Sequence, residues 1–217
     1  TKEYSDCNGS DEEDLKNVTI DFICDESGCD LELQMVGLMT FINSQKVFKD
    51  GVAIIPEGTT EIGELAFAFC DSLKNITIPE SVTQIGNKAF KGCISLESIT
   101  IPKSVTKIET EVFSGCTSLV SITIPESVTK IEKYAFEGCT SLKKITIPES
   151  VTKIENGAFS GCTSLESIVL PKVKKIGHSA FYGCSSLESV RIVDSATEIS
   201  PCAFRECISL KSITIPN

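Results

Sequence analysis

Eleven cysteines in 217 residues are the first candidates for chemistry, because a thiolate can attack or hold a metal and two thiols can form a disulfide. Spacing separates these roles. Seven of them, Cys70, Cys93, Cys116, Cys139, Cys162, Cys184 and Cys207, follow one another at steps of 23 residues, with one step of 22. Metal sites draw on closely spaced Cys and His pairs, and this chain has one histidine, His178. The pattern points to a single buried position repeated, a structural ladder of free thiols packed as small hydrophobes, with no metal and no cofactor. One histidine also leaves no Ser-His-Asp or Cys-His set to assemble. His178 stands where other copies carry Asn87 or Asn156 and reads as an exposed turn residue. Cys24 and Cys29, among acids and turn residues, are candidates for a small loop disulfide, for which Cys7 competes. Cys202, beside the Cys207 turn, reads as a partly exposed thiol. The acidic run Asp11-Glu12-Glu13-Asp14 lacks the alternating ligands and glycine of a calcium loop and reads as a solvated tail.

The elements that position these cysteines are copies of one phrase. Each copy reads A-F-x-G-C-x-S-L-x-x-I-x-I-P-x-S-V-x-x-I, as in Ala135-Phe136-Glu137-Gly138-Cys139 followed by Leu142, Ile145, Ile147 and Pro148. The two isoleucines of I-x-I alternate, so they share one face of a strand. The proline removes a backbone donor and closes that strand. S-V-x-x-I predicts a second short extended segment, and A-F-x-G-C predicts a short helix or turn. No single copy can bury its apolar face alone, whereas stacked copies bury a continuous core. Strand-forming segments start at Leu73, Leu96, Leu119, Leu142, Leu165, Leu187 and Leu210, with a degenerate one at Val52–Pro56. At ~4.8 Å per strand, the seven clear rungs predict one sheet about 30 Å wide. The 22-residue step is a deletion, where Pro171-Lys172-Val173 replaces Pro148-Glu149-Ser150-Val151.

This phrase resembles the BspA-like leucine-rich repeats of surface proteins, over roughly residues 52–217. The resemblance implies a leucine-rich-repeat solenoid, a horseshoe or right-handed α/β superhelix with its parallel sheet on the concave side and short helices and turns on the convex side. It implies an extracellular or cell-surface protein that adheres to host matrix proteins or other cells, and no catalytic residues. Two features depart from it: Ile192-Val193, which lacks the strand-ending proline, and residues 1–51.

Residues 1–51 are expected to form an acidic tail and a β-rich cap. Leu15–Ile20 echoes Leu73–Ile78 and predicts a strand that adds to the sheet, and Leu31, Leu33 and Met35 predict another. The formal charge of -10 is local: residues 1–32 hold eleven acids and two lysines, so the remainder is nearly neutral. A neutral body with no basic stripe argues against nucleic acid as a partner. No apolar run reaches the ~18 residues of a membrane span. The chain stops mid-repeat at Pro216-Asn217, so a longer natural protein and end-to-end self-association are both expected possibilities.

The open sheet face is the candidate ligand-binding surface. Its outward positions are mostly Ser and Thr, and the departures are Val120, Lys144, Val169, Arg191 and Val193. An extracellular protein or glycan ligand is expected there. The scarcity of aromatic anchors predicts weak single-site affinity reinforced by multivalency. The competing reading is a structural spacer within a longer surface protein.

Overall fold

A computed structural model describes residues 18–20, 48–49, 51–193 and 198–214. Each 23-residue copy contributes two strands. The I-x-I segments form β3 (Val52–Ile54), β5 (Asn75–Thr77), β7 (Ser98–Thr100), β9 (Ser121–Thr123), β11 (Lys144–Thr146), β13 (Ser167–Leu170), β15 (Ser189–Ile192) and β17 (Ser212–Thr214). The V-x-x-I segments form β4 (Thr59–Ile62), β6 (Gln84–Ile85), β8 (Lys107–Ile108), β10 (Lys130–Ile131), β12 (Lys153–Ile154), β14 (Lys175–Ile176) and β16 (Glu198–Ile199). Two further strands lie toward the N-terminus, β1 (Val18–Ile20) and β2 (Phe48–Lys49).

The strands stack parallel and in register, Ile99 beside Ile122 and Ile122 beside Ile145. Register cannot slip, because a one-residue shift would turn every buried isoleucine outward. The expected single sheet is interrupted. The I-x-I strands form a six-stranded sheet from β2 to β11 and a three-stranded sheet of β13, β15 and β17. The interruption falls beside the short 22-residue turn, where β13 runs on through Leu170 and pairs with β15 over four residues. The V-x-x-I strands form a second layer, broken between β6 and β8. β1 joins this second layer, pairing parallel with β4, and not the I-x-I sheet expected from its sequence echo. β2 pairs antiparallel with β3.

Of the two forms expected for the A-F-x-G-C segment, helix or turn, the chain takes the turn; no helix occurs among the described residues, so none there is long and apolar enough to cross a membrane. The cause is a pair of left-handed residues in each copy. Lys88 (φ 58°) and Gly92 (φ 70°) bracket Ala89-Phe90-Lys91, as Tyr134 and Gly138 bracket the equivalent segment two copies on. An L-residue in this region costs roughly 1–2 kcal/mol, and left-handed residues end a helix before it begins.

The core is built in columns. Phe67, Phe90, Phe113, Phe136, Phe159, Phe181 and Phe204 stack with ring centroids 5.2–5.6 Å apart and interplanar angles of 4–17°. Each such contact contributes about 0.5–1.5 kcal/mol beyond burial. Beside the rings run the thiols. Cys139 Sγ donates to the carbonyl oxygen of Phe113 at 3.2 Å, which also accepts the Cys116 N–H at 3.1 Å. The same bond recurs from Cys93, Cys116, Cys162, Cys184 and Cys207 to the phenylalanine of the preceding copy.

Cys70 departs from the expected free ladder: it is disulfide-bonded. The other seven described cysteines are free, so none of them is its partner. A cysteine in a disulfide has no S–H proton, so Cys70 cannot donate to a carbonyl as the ladder thiols do. The expected Cys24–Cys29 bridge, Cys7 and the Leu31–Met35 strand lie outside the described residues.

Candidate functional site

Outward positions on the I-x-I layer alternate with buried isoleucines, giving the exposed–buried–exposed pattern of β5, β7, β9 and β11. Small hydroxyls fill most of them. Lys144, Val169 and Arg191 stand at outward positions of β11, β13 and β15 and are all exposed. Val169 pairs with Arg191 across the β13–β15 ladder. Val193 follows β15 and is exposed, its N–H donating to the Leu170 carbonyl at 3.0 Å. Val120 is exposed too, but it precedes β9 beside Lys143, at the opposite end of the strands from Val169. The fold thus gathers Lys144, Val169, Arg191 and Val193 and leaves Val120 apart.

Where the sheet is interrupted, a groove of about 360 Å³ opens between β11 and β13. Lys144, Thr146, Ile147, Ser167, Val169 and Pro171 line it. The strand break itself had no marker in the residues of β11 or β13, which is why sequence reasoning found the side chains but not the groove.

The second layer carries a feature that sequence reasoning missed. Lys107, Lys130, Lys153 and Lys175 lie in register on adjacent strands, a basic row the expectation of no basic stripe did not contain. Two residues along, Glu109, Glu132 and Glu155 repeat with the same period. Lys130 Nζ lies 2.9 Å from both Glu132 and Glu155, and Lys175 lies 3.4 Å from Glu198. Its hydrogen bonds to Glu155 and Glu132 raise the Lys130 pKa. The row is thus partly neutralised within its own layer, and it is this pairing that weakens any attraction for phosphate chains. The signal was present in sequence as V-T-K-I at steps of 23 residues for Lys107, Lys130 and Lys153, and as V-K-K-I after a step of 22 for Lys175, and net charge alone does not show it.

The thiols in the middle of the core, Cys116, Cys139 and Cys162, offer no reactive site. Burial pushes the Cys162 thiol up to about 12, and burial likewise raises Cys116 and Cys139. A thiol held protonated is neither nucleophile nor metal ligand. No cluster of three His, Cys, Asp or Glu able to hold a metal occurs among the described residues. Cys202 is exposed, as expected, and so is His178, whose N–H donates to Asn156 Oδ1 at 3.0 Å.

Residues 51–165 and 152–217 match the BspA type leucine-rich repeat region, in six copies. A leucine-rich repeat protein of T. pallidum is 31% identical, with a TM-score of 0.70, over 76% of this chain and 79% of its own. A leucine-rich cell surface protein of Faecalibacterium prausnitzii is 28% identical, with a TM-score of 0.56, over 79% of this chain and 61% of its own. A leucine-rich repeat protein of Bacteroides ovatus is 27% identical, with a TM-score of 0.62, over 94% of this chain and 64% of its own. The chain therefore spans under two thirds of the length of the last two. Among curated proteins, none matches.

Proposed function

We propose, since this chain belongs to the BspA-type leucine-rich repeat family, that it is a non-catalytic extracellular or cell-surface module that binds a protein partner through the open face of its I-x-I layer. Repeat proteins of this kind generally serve as binding scaffolds, and a rigid stack of identical rungs holds side chains at fixed intervals without needing a catalytic set. The observation that carries the reading is the gathering of Lys144, Val169 and Arg191 beside the groove, on a face whose outward positions from β7 to β17 are otherwise small hydroxyls. The cell-surface protein of F. prausnitzii supports the location, and adhesion to host matrix proteins or other cells is the role that fits it.

The test is binding of the purified chain to immobilised matrix proteins and glycans, as a monomer and displayed multivalently on beads. Binding that strengthens on beads and falls with the double variant Lys144→Ser, Arg191→Thr supports the reading. A second reading, a structural spacer, draws on the near-identity of the middle copies. Silence in both formats favours the spacer.

A further inference from the structure

We propose that the outward face from Lys144 at the β11–β13 groove across Val169 to Arg191 on β15 takes an extended acidic peptide segment in which two carboxylate side chains flank an apolar one at alternate positions. This deepens the reading of the face as a protein-binding surface, and rests on it, by naming the chemistry of the bound segment.

Charge selects the sign. Across the outward positions of β3, β5, β7, β9, β11, β13, β15 and β17, the charged side chains are Lys144 and Arg191, and no acid stands among them. Neither forms an ion pair with a described carboxylate. Glu166 and Glu188 directly precede β13 and β15, and Glu188 is held by Lys211 at 2.9 Å. Two unpaired cations on a neutral hydroxyl face create a local field that favours carboxylates.

Spacing selects the pattern. Val169 lies opposite Arg191, and the repeat places Lys144 one strand to the other side and two residues back. With ~4.8 Å between the paired strands β13 and β15, at least that much across the groove to β11, and ~3.3 Å of rise per residue, the Cα atoms of Lys144 and Arg191 lie about 12 Å or more apart with Val169 between them, within the added reach of the two long side chains. In an extended peptide, residues i, i+2 and i+4 share one face and span about 13 Å. Carboxylates at i and i+4 therefore reach both cations while residue i+2 meets Val169. Val169 is 49% exposed at a position where Thr77, Thr100, Thr123 and Thr146 stand in other copies, so its burial by an apolar side chain is a gain those copies cannot offer. Thr146 and Ser167, in the groove wall, supply hydrogen-bonding hydroxyls for the peptide backbone.

The experiment is fluorescence anisotropy with the full chain and a tagged, blocked peptide Thr-Glu-Thr-Val-Thr-Glu-Thr, against the same peptide with Gln for both Glu and with Ser for Val. We expect saturable binding that weakens with salt, as exposed charge pairs do. Lys144→Ser and Arg191→Thr should each weaken it about three- to fivefold, the scale of an exposed ion pair. Both substitutions install residue types found at the equivalent positions Ser121 and Thr123, so the fold is expected to survive, and circular dichroism checks it. No binding at about 1 mM peptide, or equal binding by the Gln peptide, or by the double variant with its fold intact, overturns the proposal. A sulfated glycan that binds with the same variant sensitivity while the peptide does not also overturns it. If beads carrying the chain capture matrix proteins through this face but the peptide fails, the peptide assignment falls alone. If both fail, the binding reading falls with it.

Discussion

The ring of Tyr134 fills the space where a β-carbon on Gly157 would stand: such a carbon would lie 2.4 Å from both Cδ1 and Cε1 of the ring. Both residues occupy the same left-handed position of consecutive copies, at φ 57° and φ 64°. Lys88, Glu111 and Ser179 show that a side chain is accepted there in other copies. Gly157→Ala should therefore lose about 2 kcal/mol, part from the left-handed backbone and part from displacing the ring. In a Tyr134→Ser background the loss should fall to about 1 kcal/mol, the backbone share alone. Urea unfolding of the two pairs reads the difference, and equal losses in both backgrounds would show that the ring plays no part.

The thiol ladder predicts an alkaline limit. Cys162 is raised from an ordinary 9.0 to about 12 by burial, and Cys116 and Cys139 are raised by the same cause. Their folded forms hold a proton that the unfolded chain gives up, so the stability they contribute is complete below pH 9 and is lost as pH rises toward 12. Each thiol removes up to about 1.4 kcal/mol per pH unit in that window. Thiolate absorbance should appear together with loss of circular dichroism, in one cooperative step. Absorbance that rises over a broad range with the fold intact would contradict the burial argument.

Cys202 provides the contrast within one chain. It is exposed, while the six ladder thiols from Cys93 to Cys207 are buried. Brief iodoacetamide treatment of the folded protein, followed by peptide mass mapping, should find Cys202 alkylated and Cys116, Cys139 and Cys162 untouched. Modification of the ladder at a similar rate would mean that the stack opens readily.

Two equivalent serines should respond differently to the same change. Ser127 Oγ donates to the Val105 carbonyl at 2.6 Å, whereas the buried hydroxyl of Ser150 has no partner. Ser127→Ala is expected to cost about 1 kcal/mol, and Ser150→Ala to be neutral or slightly stabilising. Denaturant midpoints at constant m-value give the answer.

Residues whose role is repeated by burial were legible in advance, and residues whose role depends on a neighbouring copy were not. Phe136, Cys139, Leu142 and Ile145 are buried in every equivalent copy between Phe90 and Leu187, so period and hydropathy identify them together. Around Ala135-Phe136 helix and turn both stayed open, because Tyr134 and Lys88 carry no glycine to announce their left-handed backbone. Cys70 has the spacing of its ladder partners, and nothing in that spacing announces its disulfide. Lys144, Val169 and Arg191 were legible as departures from Ser and Thr. The groove beside them was not, because it arises from the way β13 pairs with β15 and not from a residue type.

The bond from each cysteine to the phenylalanine carbonyl of the copy before it joins identical donor to identical acceptor at every interior junction. Such an array has no address within it. Adding or removing a whole copy leaves the same thiol-to-carbonyl junction on either side, so this part of the core needs no compensating substitution when the stack lengthens or shortens by duplication or loss. A change of any other size must be absorbed in the connecting loops, and the single missing residue at Pro171-Lys172-Val173 is placed there, clear of both the thiols and the rings. The chain can therefore vary its reach in whole steps while the chemistry at each step stays the same.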